Sequence, residues 1–560
     1  MVEGLKSGDG FEYLIQDPDD RCLGKILRRA TIAHPERTCL IWNASRHISY
    51  GEMDSAVDRV VHGLKNRGVQ AGDRVAVMSG NCPEYVFLIF ALARLGAVLV
   101  TVNVHARGTQ LAHILENAEP RLVVVESDIL NHVREAVRSA APAPDVMLVE
   151  GDEQGYDTVR MMAAQGHVDH LDHADPEGPR YNDLAQILYT SGTTGPSKGV
   201  MITHNQAYAF ADYVSQAMEL SETDIYYTCL PLFHVNAQIS VLGSIMAGAC
   251  VALSDRFSAS RFWSDIAATN ATAVSLFGAM AYILYQLPAE SDVKTSMRVC
   301  WAFPLPYDIK EEFEERYGVR LLTAYASTEA NFVAIGGLAD ELPSGAAGLV
   351  HPRFEVKIVD SDDRDLPFGS VGEIVTRPRD PWTMMAGYYR MPEVTAKAFE
   401  NLWYHTGDAG SLTEDGHLYF VDRIKDVIRR RGENISSYEV EQVVTAHEAV
   451  AECVAVGVPS ELSEDEVKIV VVPLEGATIV PSELIAWCGE RMAYFMVPRF
   501  VQTVPELPKT PTGKVEKYRL GNDSSIGVLW DAQSGQPGNP TESVTLQGGV
   551  LIELSGHKGS

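Results

Sequence analysis

Residues 190–199, with the sequence TSGTTGPSKG, combine backbone donors, hydroxyls and one ammonium in a single short segment. The apolar residues before it predict a strand that leads into a loop, and its three glycines let backbone N–H groups turn towards an anion without steric cost. Five hydroxyls and Lys198 complete a cradle that suits a polyphosphate. A glycine follows Lys198, so the segment lacks the Gly-Lys-Ser/Thr order of a Walker A loop and disfavours a P-loop NTPase. A flexible Ser/Thr/Gly surface loop is the alternative.

The elements that must position this loop belong to a chain of 560 residues, longer than one hydrophobic core normally organises. A net charge of −29 would repel nucleic acid and anionic lipid, so neither is expected as a partner. The most apolar stretch, residues 85–102, is interrupted by Arg94 and Gly96 and predicts a buried helix and strand, not a membrane span.

The acidic N-terminus lacks the features of a signal peptide, which predicts a cytoplasmic protein. The eight scattered cysteines, without metal-ligand spacing, predict reduced thiols.

The order of apolar runs predicts an α/β fold. Residues 74–78, 97–101 and 122–125 are strand-like, and a helix opened by Asn81 and Pro83 separates the first two. From about residue 356, short strands with turn signals predict a β-rich subdomain. We expect a large N-terminal domain over residues 1–422 and a small C-terminal α+β domain over residues 423–520. The Gly/Ser/Pro-rich residues 521–560 predict a poorly ordered tail.

Five further segments follow the loop in order: residues 325–329 (YASTE), 404–408 (YHTGD), 422–426 (DRIKD), 432–435 (GENI) and 508–514 (PKTPTGK). Together with the loop they resemble the ANL superfamily of adenylate-forming enzymes, which comprises acyl-CoA synthetases, adenylation domains and luciferases. The resemblance covers about residues 48–520. It implies the ANL fold, in which a large AMP-binding domain of stacked α/β subdomains precedes a small mobile domain.

The resemblance implies that the large domain activates an acid with ATP and Mg²⁺. Glu329 would hold Mg²⁺, and Thr328 would touch the α-phosphate. Tyr325 would stack on adenine, Asp408 would accept hydrogen bonds from the ribose hydroxyls, and Arg423 would lie near the ribose or the phosphates. The β- and γ-phosphates would contact the loop through Thr190, Ser191, Gly192, Thr193, Thr194 and Lys198.

The small domain would supply Lys514, which the resemblance implies is the catalytic lysine of adenylation. Lys425 matches the family's hinge, about which the small domain rotates after adenylation. In the CoA-using members, this rotation brings the loop that contains Gly432 alongside the pantetheine tunnel. The arginines at positions 429–431 could meet the phosphates of CoA, and a solvated basic turn is an equal alternative.

The acid site is predicted by one matching segment and two departures from the family pattern. Residues 231–236 (PLFHVN) resemble the Phe-His segment that borders the carboxylate in acyl- and aryl-CoA ligases, which adds His234 to the catalytic group. Asn236 and its neighbours offer no carboxylate for an amino group, which disfavours α-amino acids. Trp301 and Ala326 stand where the family commonly has glycine, so the acid should be short or flat; the indole could also face a quaternary ammonium. The predicted pocket residues are His234, Asn236, Phe277, Trp301, Phe303 and Ala326.

These features predict an ATP-dependent ligase that activates a small or planar acid as its adenylate and transfers it to CoA. The alternative keeps adenylation but transfers the acid to an amine, including activation of nitrite to diazotise an arylamine. A non-catalytic nucleotide-binding scaffold is disfavoured because Lys198, Glu329, Asp408 and Lys514 are all present. The expected partners are a small acid, ATP and CoA or an amine, and a homodimer is left open.

Overall fold

The computed structural model divides into two compact units, Met1–Val421 and Asp422–Ser560. We refer to these as the large unit and the small unit. The structure describes residues 12–104, 106, 108–139, 143–151, 153, 155–164, 178–190, 197–287, 295–303, 305, 307, 309–423, 428–430, 433–435, 437–459, 465–492, 496–509, 515–521, 528–532, 534 and 536–537.

The helices in the described ranges, in chain order, are α1 Leu23–Ala33, α2 Tyr50–Asn66, α3 Pro83–Leu95, α4 Gly108–Ala118, α5 Leu130–Ser139, α6 Val159–Ala164, α7 His204–Ala217, α8 Val235–Met246, α9 Phe262–Thr269, α10 Gly278–Gln286, α11 Lys310–Tyr317, α12 Pro392–Ala398, α13 Ser437–Thr445, α14 Pro481–Arg491 and α15 Lys517–Leu520. Short 3₁₀ turns occur at Pro18–Asp20, Ser127–Ile129 and Glu400–Leu402. None of these helices combines the length and the apolar character that crossing a bilayer requires.

The strands of the large unit are β1 Thr38–Trp42, β2 Arg46–Ser49, β3 Arg74–Met78, β4 Val98–Thr101, β5 Leu122–Val125, β6 Asp145–Leu148, β7 Leu184–Thr190, β8 Lys198–Thr203, β9 Ile225–Thr228, β10 Cys250–Leu253, β11 Ala273–Phe277, β12 Val299–Phe303, β13 Arg320–Leu322, β14 Ala324–Ser327, β15 Asn331–Ile335, β16 Gly348–Val350, β17 Phe354–Val359, β18 Gly372–Pro378, β19 Tyr404–Leu412 and β20 His417–Arg423. The small unit adds β21 Ile428–Arg430, β22 Glu433–Ile435, β23 Val450–Pro459, β24 Asp465–Pro473, β25 Phe500–Thr503, β26 Val528–Asp531 and β27 Gln536–Pro537.

Three sheets build the large unit, with strand orders β13-β12-β11-β9-β10-β1-β2, β6-β5-β3-β4-β7-β8 and β14-β15-β16-β20-β19-β18-β17. The first two are parallel except for the edge strands β2 and β8, which run antiparallel to their neighbours. The described pairings of the third sheet are antiparallel. Two parallel sheets with helices and one β-rich sheet confirm the α/β class predicted from the sequence.

Local sequence explains several of these elements. Helix α3 begins at Pro83, where the missing N–H costs nothing, and ends at Leu95, followed by Gly96, whose φ of +71° is the left-handed cap conformation. Helix α2 begins with a capping box in which Ser49 and Glu52 satisfy each other's backbone N–H groups. Helix α7 is buried along almost its whole length, so it can contact site loops from inside the core.

The small unit has a five-stranded sheet in the order β23-β24-β25-β26-β27 and a β21-β22 hairpin. Its last strands, β26 and β27, correct the expectation of a poorly ordered tail over residues 521–560 for the part from 528 to 537, whereas residues 538–560 lie outside the described residues. Val528–Asp531 pairs antiparallel with β25, because the apolar run of Val528, Leu529 and Trp530 can complete the sheet; Leu529 is buried against it.

All eight cysteines are free thiols, and only Cys453 is more than marginally exposed. Burial raises the pKa of several of them, including Cys82, Cys229 and Cys250, each to about 12. These thiols are therefore protonated core residues at neutral pH.

Candidate active site

An antiparallel hairpin anchors both ends of the loop at residues 190–199. Strand β7 enters the loop and β8 leaves it, so that Thr190 faces Lys198 across the ladder. The Thr190 hydroxyl donates to the Lys198 carbonyl at 3.5 Å. At the exit, Ser197 is buried and its carbonyl oxygen accepts a hydrogen bond from Nε2 of His113 at 3.0 Å. Lys198 therefore lies on a paired strand, whereas the predicted phosphate contacts of Ser191, Gly192, Thr193 and Thr194 fall outside the described residues.

The turn that carries Thr328 and Glu329 joins β14 to β15, and both side chains are half-buried. The Tyr388 hydroxyl donates to Glu329 Oε1 at 3.1 Å. The Nζ of Lys198 lies 5.0 Å from the centroid of the Tyr388 ring. Two predicted site residues, Lys198 and Glu329, thus both contact the side chain of Tyr388, which lies in none of the sequence motifs. The half-exposed carboxylate of Glu329 has the hard oxygen donors that fit Mg²⁺.

Gln206, near the start of α7, contacts the turn of Thr328 and Glu329 from the core side. Its side-chain Nε2 donates to the carbonyl oxygens of Thr328 at 3.0 Å and Glu329 at 3.3 Å. Helix α7 begins directly after β8, the strand that carries Lys198. The start of α7 therefore links this strand to the turn that carries Glu329. Gln206 lies 122 residues from Thr328 in sequence, so no local pattern could have predicted this contact.

Tyr325 and Asp408, predicted to bind adenosine, are in direct contact. The Tyr325 hydroxyl donates to Asp408 Oδ2 at 2.6 Å, and the Asp408 N–H donates to the Thr406 hydroxyl at 3.1 Å. The Tyr325 ring stacks on the exposed Phe420, with centroids 6.0 Å apart and an interplanar angle of 26°. Phe420, which sequence reasoning missed, is a second aromatic surface beside the predicted adenine site. Arg423 ends β20, but its side chain lies outside the described residues.

The predicted acid pocket lies around α8 and the first sheet. His234 is the residue that caps the N-terminus of α8, and it and Asn236 in the first turn are half-buried. The Phe233 and His234 rings are in contact, with centroids 4.7 Å apart. Phe277, at the end of β11, is 38% exposed and pairs in register with Phe303, whose side chain is outside the described part of the chain.

The two departures from the family pattern meet at one residue. Trp301 is fully buried, and its indole lies edge-on to the Phe332 ring with centroids 5.6 Å apart. Phe332 is also the partner of Ala326 across the β14–β15 ladder. The sequence predicted that Trp301 and Ala326 narrow one pocket, but their common neighbour Phe332 could not be identified without the fold.

In the small unit the structure bears on one of the three consecutive arginines. The Arg430 side chain is buried, donates to the Val497 carbonyl at 2.8 Å and pairs with Glu466 at 2.6 Å. Arg430 therefore anchors β21 within the small unit, and the expectation that all three arginines meet CoA phosphates or solvent is wrong for this residue. Lys425, Gly432 and Lys514 lie outside the described residues.

Together, the fold and the site define a class: an enzyme with a large α/β unit, a Ser/Thr/Gly-rich loop ending in a lysine, a nearby carboxylate, and a separate small C-terminal unit. The model of the AMP-binding enzyme family matches residues 27–389, and that of the AMP-binding enzyme C-terminal domain matches residues 439–514. The chain belongs to the AMP-binding enzyme family. It is an ATP-dependent adenylate-forming ligase, which confirms the resemblance to the ANL superfamily.

Individual relatives match along nearly their whole length. A crotonobetaine/carnitine–CoA ligase of Salmonella typhimurium (strain LT2) is 33% identical over 501 residues, which cover 87% of this chain and 96% of the relative. Among solved structures, ATP-bound MatB from Rhodopseudomonas palustris superposes with a TM-score of 0.79 at 26% identity, covering 89% of this chain and 98% of that one. The o-succinylbenzoate Coenzyme A synthetase MenE of Bacillus subtilis, in complex with AMP, gives 0.78 at 25% identity, with 91% and 99% covered.

Proposed function

We propose that this ligase is an acid–CoA ligase that activates a small or planar acid as its adenylate and transfers it to CoA. The observation that carries the proposal is the 33% identity to crotonobetaine/carnitine–CoA ligases across 96% of their length. MenE, a CoA synthetase by name, has a similar structure over 91% of this chain. These names favour CoA over an amine as the acceptor, and no described contact favours the amine or nitrite alternative.

In the first half-reaction, a carboxylate oxygen attacks the α-phosphorus of ATP and pyrophosphate leaves. The acid and ATP are both anions, so the site must neutralise charge before they meet. Lys198 is the cation that the hairpin holds beside the predicted phosphate loop, and Lys514 would act at the carboxylate and α-phosphate. Mg²⁺, when bound at Glu329, would offset the charge that develops on the departing pyrophosphate.

Adenosine would be fixed by the contact between Tyr325 and Asp408. The Tyr325 hydroxyl occupies one acceptor position of the Asp408 carboxylate, at 2.6 Å, which sets the orientation of this side chain. A carboxylate can accept hydrogen bonds from both hydroxyls of a ribose, and we propose that Asp408 does so. Phe420 would extend the aromatic surface next to adenine.

In the second half-reaction, the CoA sulfur attacks the acyl carbon, a C–S bond forms, AMP leaves and the thiol proton is lost. We propose that the small domain, residues 423–520, rotates about Lys425 between the two half-reactions. This rotation would remove Lys514 from the active site and bring the loop that contains Gly432 into it. One chain could then perform both steps.

The acid is proposed to be small because Trp301 fills space behind the pocket. Its indole is 1% exposed and packs on Phe332, which itself pairs with Ala326. A side chain packed in this way leaves little room for a long acyl chain unless it moves. His234 and Asn236, at the start of α8, would lie near the carboxylate.

The test is acid-dependent pyrophosphate release with ATP, across short aliphatic acids, aryl acids, crotonobetaine, carnitine, amino acids and nitrite. The proposal expects release with one class of small or planar carboxylic acid and a thioester when CoA is added. Release that requires nitrite, with product only in the presence of an arylamine, would contradict it.

A further inference from the structure

The side chain of Tyr388 lies between two residues of the predicted phosphate and metal site. Its hydroxyl donates to Glu329 Oε1 at 3.1 Å, and its ring lies 5.0 Å from Lys198 Nζ. Tyr388 is 5% exposed, so water is excluded from the tyrosine side of both contacts, whereas Lys198 and Glu329 are half-buried. A hydrogen bond to a carboxylate and a cation–π contact are each stronger where water is excluded.

A second tyrosine lies behind the first. Tyr404 is 5% exposed, and its side chain is a near neighbour of the Tyr388 phenol. An ionised carboxylate can only accept hydrogen bonds, so the Tyr388 hydroxyl is the donor in its bond to Glu329. Tyr404 begins β19, the strand that also carries Asp408.

The backbone around Tyr388 is tied to the phosphate hairpin. Residues 385–389 run beside β8, where Tyr389 N donates to the Gly199 carbonyl at 2.8 Å and Met201 N donates to the Gly387 carbonyl at 2.9 Å. The first residue of this segment, Met385, donates to the Glu329 carbonyl at 2.9 Å. The backbone at Tyr388 therefore cannot move away from β8 or from Glu329 without breaking main-chain hydrogen bonds to Gly199, Met201 or Glu329.

We propose that Tyr388 is a positioning residue that holds one oxygen of the Glu329 carboxylate, leaves the other for the metal of Mg·ATP, and fixes the position of the Lys198 ammonium. Residues that hydrogen-bond to a metal-binding side chain commonly set its orientation and its affinity for the ion. The inference rests on the prediction that Glu329 holds Mg²⁺, and it does not depend on which acid or acceptor the enzyme uses.

The test compares the equilibrium affinities of Tyr388→Phe for Mg·ATP and for AMP by isothermal titration calorimetry. Loss of a hydrogen bond to a charged group should weaken Mg·ATP binding roughly tenfold or more, while AMP, which lacks the β- and γ-phosphates, binds within about twofold of the wild type. The matched control is Tyr50→Phe, which removes a buried phenol bond of 2.6 Å to the Ala249 carbonyl, on a helix that carries no predicted site residue.

The control should lower thermal stability and leave both affinities unchanged. Equal weakening of Mg·ATP and AMP by Tyr388→Phe, or an unchanged Mg·ATP affinity, would overturn the proposal. A double variant with Glu329→Gln separates the two assumptions. If Tyr388 acts through Glu329, the double variant binds Mg·ATP about as weakly as Glu329→Gln alone, whereas additive losses contradict the positioning role. If Glu329→Gln alone leaves Mg·ATP affinity unchanged, the metal role of Glu329 fails, and the positioning role fails with it.

Discussion

Replacing Trp301 by alanine should widen the range of acids that the enzyme accepts. The indole is fully buried against Phe332, so its removal opens space between the first sheet and β15. Each buried methylene contributes about 0.8 kcal/mol, so an acid three methylenes longer than the native substrate could gain about 2.4 kcal/mol. This corresponds to a rise of roughly 60-fold in kcat/KM for the longer acid relative to the wild type.

The same change costs folding stability. Trp→Ala substitutions in cores typically cost about 3–5 kcal/mol, which is a large share of the stability of an ordinary domain. Trp301→Leu retains part of the side-chain volume, and it replaces the alanine variant in the assay if that variant does not fold. Trp263→Ala is the matched control, because this indole is also buried and stacks on Tyr317 with centroids 4.1 Å apart, on helices outside the predicted site.

The assay is kcat/KM from pyrophosphate release over a homologous series of straight-chain acids at saturating ATP. The Trp301 variants should move the optimum to longer chains, and Trp263→Ala should lower thermal stability without moving it. An unchanged chain-length profile in a folded Trp301 variant would refute the idea that this indole limits the acid.

Three further predictions test other parts of the account. Lys514→Ala should abolish adenylation but leave thioester formation from supplied acyl-adenylate largely intact; equal loss of both half-reactions would contradict its assigned role. Tyr325→Phe removes the bond to Asp408, which should raise the KM for ATP roughly tenfold with little change in kcat. Burial lowers the pKa of His204 to about 4, below the value of about 6.5 in the unfolded chain. The free energy of unfolding should therefore fall by roughly 3 kcal/mol as the pH decreases from about 6.5 towards 4, because the unfolded chain takes up the proton first. Calorimetry should show that His204→Gln has a flatter dependence of Tm on pH over this window, and an unchanged dependence would contradict the assignment.

The local parts of the fold could be predicted from the sequence because they depend on short-range patterns. The apolar runs at 74–78 and 122–125 match strands β3 and β5 at both ends, and Pro83 marks the start of α3. The order of strands in the sheets depends on pairing between distant segments, such as Leu40 of β1 with Val251 of β10, and no local pattern encodes it. Strand β26 was not predicted because its short apolar run lies among polar residues that are typical of a poorly ordered segment.

The candidate site shows the same division. Residues inside motifs, such as Lys198, Glu329 and Asp408, could be named from sequence because the types and spacing of their neighbours point to nucleotide chemistry. Tyr388 and Gln206 could not, because their roles depend on contacts with Glu329 and its turn that cross 59 and 122 residues. An isolated tyrosine or glutamine carries no signal of that kind.

The most direct test of the central claim is the identity of the final product. The purified chain is incubated with ATP, Mg²⁺, CoA and the acid that drives pyrophosphate release, and the products are identified by mass spectrometry. The account predicts AMP, pyrophosphate and the CoA thioester of that acid in equal amounts. Pyrophosphate release without any CoA thioester, together with product only when an amine is supplied, would contradict it.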